Sequence, residues 1–253
     1  EVTFGVDLTG FSTRVTQDGS SWNDGDKIGT YVLDMKTLEP VTEAANVPYV
    51  CSEEGASVSF TSTTPLKVQN DGTPVKFVAY YPYNADVRNF NYPVQLAAQE
   101  RGSTACDLLY AATKEEYTYS PENEPHISLN FTHRLAKVIL KFVNMEKEPL
   151  EVSDVRIEGM QTAASFNIQT DVLTVDESSV ATINPYHNAT TGFYEAIILP
   201  SALTDSYKVS FVLDDREKEW IFTNLDIALP QFHKGYSYTC LLYTSPSPRD
   251  PKT

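Results

Sequence analysis

Ile127, Leu129 and Phe131 alternate with Ser128, Asn130 and Thr132. After an interruption at His133-Arg134, Val138, Leu140 and Phe142 resume the alternation against Lys137 and Lys141. A period of two sends successive side chains to opposite faces, so this stretch reads as two strands, each with one face on a core and one in water. Ile139 is the one departure from the pattern. A second run, Phe77-Val-Ala-Tyr-Tyr-Pro-Tyr83, is rich in the aromatic and β-branched residues that suit a pleated, half-buried surface.

The remainder of the chain points the same way. Only Asn84–Arg101 and Asp107–Glu116 are candidates for a helical turn. Elsewhere short apolar alternations are separated by turn signals at Asp18-Gly19, Asn23-Asp24-Gly25, Asn70-Asp71-Gly72 and Asp214-Asp215. Val209, Phe211 and Leu213 before the last of these, with Trp220 and Phe222 after it, predict a hairpin. Regular short strands with such punctuation predict an all-β protein of β-sandwich type. The polar stretch Tyr117–Pro125 holds two prolines and precedes the strongest strand signal, which predicts an N-terminal domain over 1–125 and a C-terminal domain over 126–239.

Both ends of the chain carry their own expectations. Val2, Phe4, Val6 and Leu8 alternate with Thr3, Gly5 and Asp7, giving a first strand with one apolar face, followed by a polar stretch containing Arg14. The chain opens at Glu1 with neither initiator methionine nor signal peptide, so an upstream segment is expected to have been removed. Cys240-Leu-Leu-Tyr-Thr-Ser-Pro-Ser-Pro-Arg-Asp250 reads as a sequencing adapter translated in frame, so residues 240–253 are set apart as a non-native scar and the native continuation is expected to be missing after Thr239.

Charge narrows the function classes. A net charge of −15 and a pI near 4.6 offer nothing to neutralise phosphates, which excludes nucleic acid as a partner and disfavours adsorption to anionic lipid. Three cysteines do not make a disulfide framework; Cys51 and Cys106 are open to bridging or to remaining buried thiols.

No residue pattern calls for a cofactor, a metal or a catalytic centre. His126, His133, His187 and His233 are not spaced as metal ligands, and His133, between two strands, fits a structural hydrogen bond better than catalysis. Ser20, Ser21 and Ser103 have no base partner in sequence, and neither a nucleophile elbow nor a phosphate-cradling glycine loop is present. Asp18, Asp24 and Asp26 offer oxygens for calcium, but their spacing is not that of an EF-hand and turn formation accounts for them. Tyr80, Tyr81, Tyr83 and Tyr92 form a candidate sugar-stacking cluster, although alternation sends Tyr80 and Tyr81 to opposite faces and places at least one in the core.

Five pieces in a fixed order resemble the fimbrillins, the surface pilins of Bacteroides-type bacteria. They are Gly25-Asp-Lys-Ile-Gly-Thr-Tyr31, Phe77–Tyr83, Asp107-Leu-Leu-Tyr-Ala111, Leu129–Val138 and Ala196-Ile-Ile-Leu-Pro200. The resemblance implies two β-sandwich, transthyretin-like domains in tandem and no enzymatic activity. It implies a structural subunit of a type V-like fimbria, exported as a lipoprotein precursor and displayed at the outer membrane. In that family a trypsin-like protease cuts after an arginine following the first strand, the position Arg14 holds here. Loss of the strand carrying Val2, Phe4, Val6 and Leu8 then opens a groove that another subunit's C-terminal segment fills by β-strand addition. The alternative is a tip adhesin or surface lipoprotein that binds glycans or a host protein.

Overall fold

The computed structural model describes residues 2–9, 12–13, 21–41, 45–99, 102–120, 126–144, 146–202, 207–213, 218–223 and 231–243. Among these the chain is all-β. Its one helical piece is a 3-10 turn at Ser103–Cys106. No helix of the described residues is long and apolar enough to cross a membrane.

The strands of the first half are β1 (Thr3–Leu8), β2 (Ser12–Thr13), β3 (Lys27–Asp34), β4 (Val47–Cys51), β5 (Ser57–Thr61), β6 (Val75–Tyr81), β7 (Asn91–Gln95), β8 (Leu109–Ala112) and β9 (His126–His133). Then come β10 (Ala136–Val143), β11 (Val152–Gln161), β12 (Ala163–Asn167), β13 (Val172–Val175), β14 (Val180–Ile183), β15 (Tyr186–Asn188) and β16 (Phe193–Ile198). The last are β17 (Ser201–Ala202), β18 (Lys208–Leu213), β19 (Lys218–Thr223), β20 (Gln231–Phe232) and β21 (Tyr236–Tyr243). The two stretches flagged as possible helix hold β7 and β8 instead. Residues 109–112 are drawn into extended pairing with β6 on one side and β9 on the other, and that tertiary demand overrides local spacing.

Two compact units divide the chain. The first comprises Glu1–Val94, Asp107–Arg134 and Ala164–Thr174; the second comprises Gln95–Cys106, Leu135–Ala163 and Val175–Thr253. The chain leaves the first unit at Arg134, where the alternation in sequence is interrupted. Strand β9, which the linear division at residue 125 groups with the second domain, is built into the first unit because it pairs with β1 and β8.

In the first unit β1-β5-β4-β3-β6-β8-β9 close into a barrel. Its interior is filled by alternate residues of every strand, among them Phe4, Ile28, Tyr49, Phe60, Phe77 and Phe131, all fully buried. Trp22, 1% exposed, meets Phe60, Tyr81 and Phe131 edge-on at 5.1–5.3 Å and so ties three walls together. The segment Ala164–Thr174 returns to this unit: Phe166 packs against Tyr110 at 5.5 Å, and Arg134 grips Asp171 through Nε and Nη2 at 2.5 and 3.0 Å.

In the second unit, one sheet runs β15-β16-β10-β21 and another β14-β11-β18-β19. Val138, Leu140, Ile157, Val209 and Phe211 from the two sheets share one buried cluster. The hairpin expected around Asp214-Asp215 is present as β18 and β19, with Val209 opposite Phe222 and Phe211 opposite Trp220. Strand β21 runs parallel to β10 through residues 240–243, with Cys240 and Leu242 turned inward in continuation of Tyr238. These four residues, set apart in the sequence reading, therefore complete a strand; residues 244–253 lie outside the described part.

Candidate functional site: the seat of the first strand

The first strand closes the barrel. It pairs antiparallel with β5, Phe4 opposite Phe60 and Val6 opposite Val58, and parallel with β9, Phe4 opposite Ile127 and Val6 opposite Leu129. Without it, both β5 and β9 would present unpaired backbone edges, and the barrel would be open between them.

Side chains follow the alternation read from sequence. Val2, Phe4 and Val6 are 1%, 0% and 2% exposed, and Leu8 is half-buried against the same cluster. The Phe4 ring meets Tyr49 edge-on at 4.8 Å and Phe77 at 5.8 Å. Burying three such side chains stabilises the seated strand by about 2 kcal/mol apiece before entropy is counted. The backbone is held at both ends. Val2 N donates to Leu66 O at 3.1 Å, Val2 O accepts from the Tyr49 hydroxyl at 3.1 Å, and Thr9 N donates to Phe131 O at 3.0 Å.

The outer face carries polar clasps. Thr3 Oγ1 and His126 Nδ1 are hydrogen-bonded at 3.1 Å, Ser57 Oγ donates to Asp7 at 2.5 Å, and Thr9 Oγ1 donates to Asn130 at 2.8 Å. These are exposed and contribute little stability each. They do fix register, since a slip by one residue would turn Phe4 and Val6 to water. Arg14 lies outside the described residues, as do Asp18 and Ser20.

The other residues singled out from sequence fall into structural roles. His133 is buried, with Nδ1 2.7 Å from Asp107 Oδ2. His187 stacks on Tyr194 at 4.6 Å, and His233 Nδ1 and Gln231 Nε2 are 3.0 Å apart. Asp26 accepts from Asn23 N at 2.8 Å and from the Tyr81 hydroxyl at 3.0 Å, so it serves a turn and a core tyrosine. Among the described residues no three His, Cys, Asp or Glu side chains converge as a metal site. Tyr80 is fully buried and packs on Tyr92 at 5.4 Å, which removes it from any surface platform. Cys51, Cys106 and Cys240 are thiols rather than disulfides; burial pushes the Cys51 thiol up, and that of Cys240 up to about 12.

Comparison with known proteins bears on this architecture. The chain superposes on a candidate cell adhesion protein from Bacteroides uniformis with a TM-score of 0.77 at 22% identity, over 95% of this chain and 92% of that one. A second candidate cell adhesion protein, from Bacteroides ovatus, gives 0.70 at 17% identity over 96% and 91%. A fimbrial protein from Bacteroides ovatus gives 0.58 at 18% identity over 96% of this chain and 49% of the other. At such identities the likeness is one of fold. No functionally curated protein matches. The sequence model of the fimbrillin-like family matches residues 13–247, nearly the whole length, and the chain belongs to that family.

Proposed function

We propose that this chain is a structural, non-enzymatic subunit of a cell-surface fimbria, assembled by exchange of its first strand for a strand of a neighbouring subunit. One observation carries the reading: the N-terminal strand is the piece that closes the barrel, and its inward residues Val2, Phe4 and Val6 occupy a continuous apolar seat. A strand from another chain with apolar residues at alternate positions would satisfy the same edges of β5 and β9 and fill the same seat. Cleavage after Arg14 by a trypsin-like protease is the proposed trigger. Family membership implies a cell-surface location; export as a lipoprotein precursor and anchoring at the outer membrane belong to the proposal.

Mild trypsin digestion, followed by mass spectrometry and sizing, tests it. We expect an early cut after Arg14, loss of the first strand, and uptake of a synthetic peptide spanning Glu1–Thr9 by the cut protein. An Arg14 bond that survives digestion, or a cut protein that ignores the peptide, overturns the reading.

A second reading, a tip adhesin or surface lipoprotein for glycans or host ligands, is favoured by a cavity in the first unit lined by Tyr31, Tyr83 and Phe90.

A further inference from the structure

The segment between β6 and β7, together with Tyr31 of β3 and Asn46 ahead of β4, lines a half-open cavity of about 450 Å³ within the first unit. Its walls are aromatic and polar at once. The rings of Tyr31 and Phe90 lie 4.8 Å apart at 45°, and Tyr83 adds a third ring. Arg88 and Asn89 stand at the exposed side. Among the described residues no carboxylate lines the cavity, although the chain as a whole carries a net charge of −15. Arg88 is the one cationic side chain among the described lining residues.

The donors are held ready for a ligand. Arg88 Nη1 donates to Ala85 O at 2.7 Å and Val87 O at 2.9 Å, which orients the guanidinium while leaving Nε and Nη2 for another acceptor. Asn46 is committed to the wall itself: its Nδ2 donates to Asn84 O at 2.9 Å, and its Oδ1 accepts from Tyr80 at 2.7 Å.

The backbone here is strained. Asn46, Asn89 and Phe90 have φ of 55°, 50° and 61°. For a bulky residue such as Phe90 the left-handed region is a true outlier. It is kept there by its neighbours: Phe90 O accepts from Ile168 N at 2.9 Å, and Arg88 O from Asn91 N at 3.0 Å. Strain of this kind gathers at ligand clamps, where the surroundings over-determine it.

We propose that this cavity binds an anionic saccharide, with a sugar ring laid against Tyr83 and Phe90 and its carboxylate or sulfate on Arg88. The Asn89 amide meets ring hydroxyls. Aromatic rings suit the C–H face of a pyranose, and amide and guanidinium groups suit its hydroxyls and one acidic group. A single guanidinium does not suit a multiply charged phosphate ligand. The volume lies at the lower end of the range for small-molecule sites, roughly 300–1,000 Å³, which fits one or two sugar rings.

Titration of the intact chain by calorimetry tests this, with glucuronate, N-acetylneuraminate, glucose 6-sulfate and neutral glucose as probes. We expect saturable binding of at least one acidic sugar, about tenfold tighter than glucose. Whether the carboxylate probes or the sulfated one bind identifies the acidic group. Arg88→Gln should bring the acidic sugar to the level of glucose, and Tyr83→Ala should weaken both, with melting temperatures close to the parent's as a check on folding. No saturable binding up to about 10 mM of any probe, preference for glucose, or affinity undiminished in both variants overturns the proposal. The first strand stays seated and no protease is used, so failure here is separate from failure of strand exchange.

Discussion

Gly29 of β3 and Tyr80 of β6 are direct cross-strand partners, and the Tyr80 ring fills the space a Cβ on Gly29 would need. The ring has no room to yield. It is fully buried, its hydroxyl donates to Asn46 Oδ1 at 2.7 Å, and that hydroxyl accepts from Asn84 N at 3.3 Å. Asn46 Oδ1 itself lies 2.7 Å from the same Cβ position.

Gly29→Ala should therefore destabilise the protein by about 1–3 kcal/mol, the range of an overpacked core. Urea denaturation measures it. The cost should also be coupled to the ring: with Tyr80→Leu in the background, adding Gly29→Ala should cost less than it does alone. Strict additivity of the two would show that the close approach is not the cause.

This pair shows how far the sequence can be read. Gly25–Tyr31 and Phe77–Tyr83 stand out as motifs, yet nothing local says that the glycine of one exists to admit the tyrosine of the other. Alternation correctly places Phe4, Val6, Leu129 and Phe131 inside, because the period of two is written along each strand. Closure of the barrel is not written there. It depends on β1 lying parallel to β9, a pairing of Thr3 with His126 across 123 positions that leaves no local mark. The cavity is hidden for a related reason. Its left-handed positions fall on Asn46, Asn89 and Phe90; no glycine accompanies them, and nothing in the sequence singles out Phe90 for positive φ. A single cut at residue 125 also fails to anticipate a chain that crosses between units and returns, as Ala164–Thr174 does.

The inner and outer faces of β1 should respond differently to truncation. Phe4→Ala removes a fully buried ring in edge contact with Tyr49 and should cost about 3–5 kcal/mol. Thr3→Ala on the exposed face loses one hydrogen bond to His126 and should cost at most about 0.5 kcal/mol. Equal losses in chemical denaturation would contradict the orientation of the strand in its seat.

The pair His133 and Asp107 is expected to be structural. Both are buried at 2.7 Å, so His133→Ala strands a carboxylate and should cost about 3 kcal/mol. Asp107→Asn keeps an acceptor of the same shape and should cost about 1 kcal/mol. A double-mutant cycle reads the coupling. Full loss on Asp107→Asn, matching that of His133→Ala, would show that shape and hydrogen bonding do not preserve the site.

Alkaline pH should weaken the first unit through its buried tyrosines. Burial pushes the Tyr31 and Tyr110 phenols up to about 12; the Asp171 charge adds to the rise at Tyr110, and the Arg134 guanidinium, 4.8 Å from that ring, works against it. In the unfolded chain these phenols ionise near 10. Between about pH 10 and 12 the native state thus holds more protons than the unfolded state, and stability falls as pH rises. The contribution is complete below pH 10 and is lost as pH climbs through the native values. Urea midpoints should hold level to about pH 9 and decline steadily beyond about pH 10, while tyrosinate absorbance in the folded protein lags behind that in urea. Tyr110→Phe should reduce the slope of the decline, since one of the retained protons is gone. A midpoint that stays level to about pH 12, or a slope unchanged by Tyr110→Phe, would show that ionisation of these side chains is not coupled to folding.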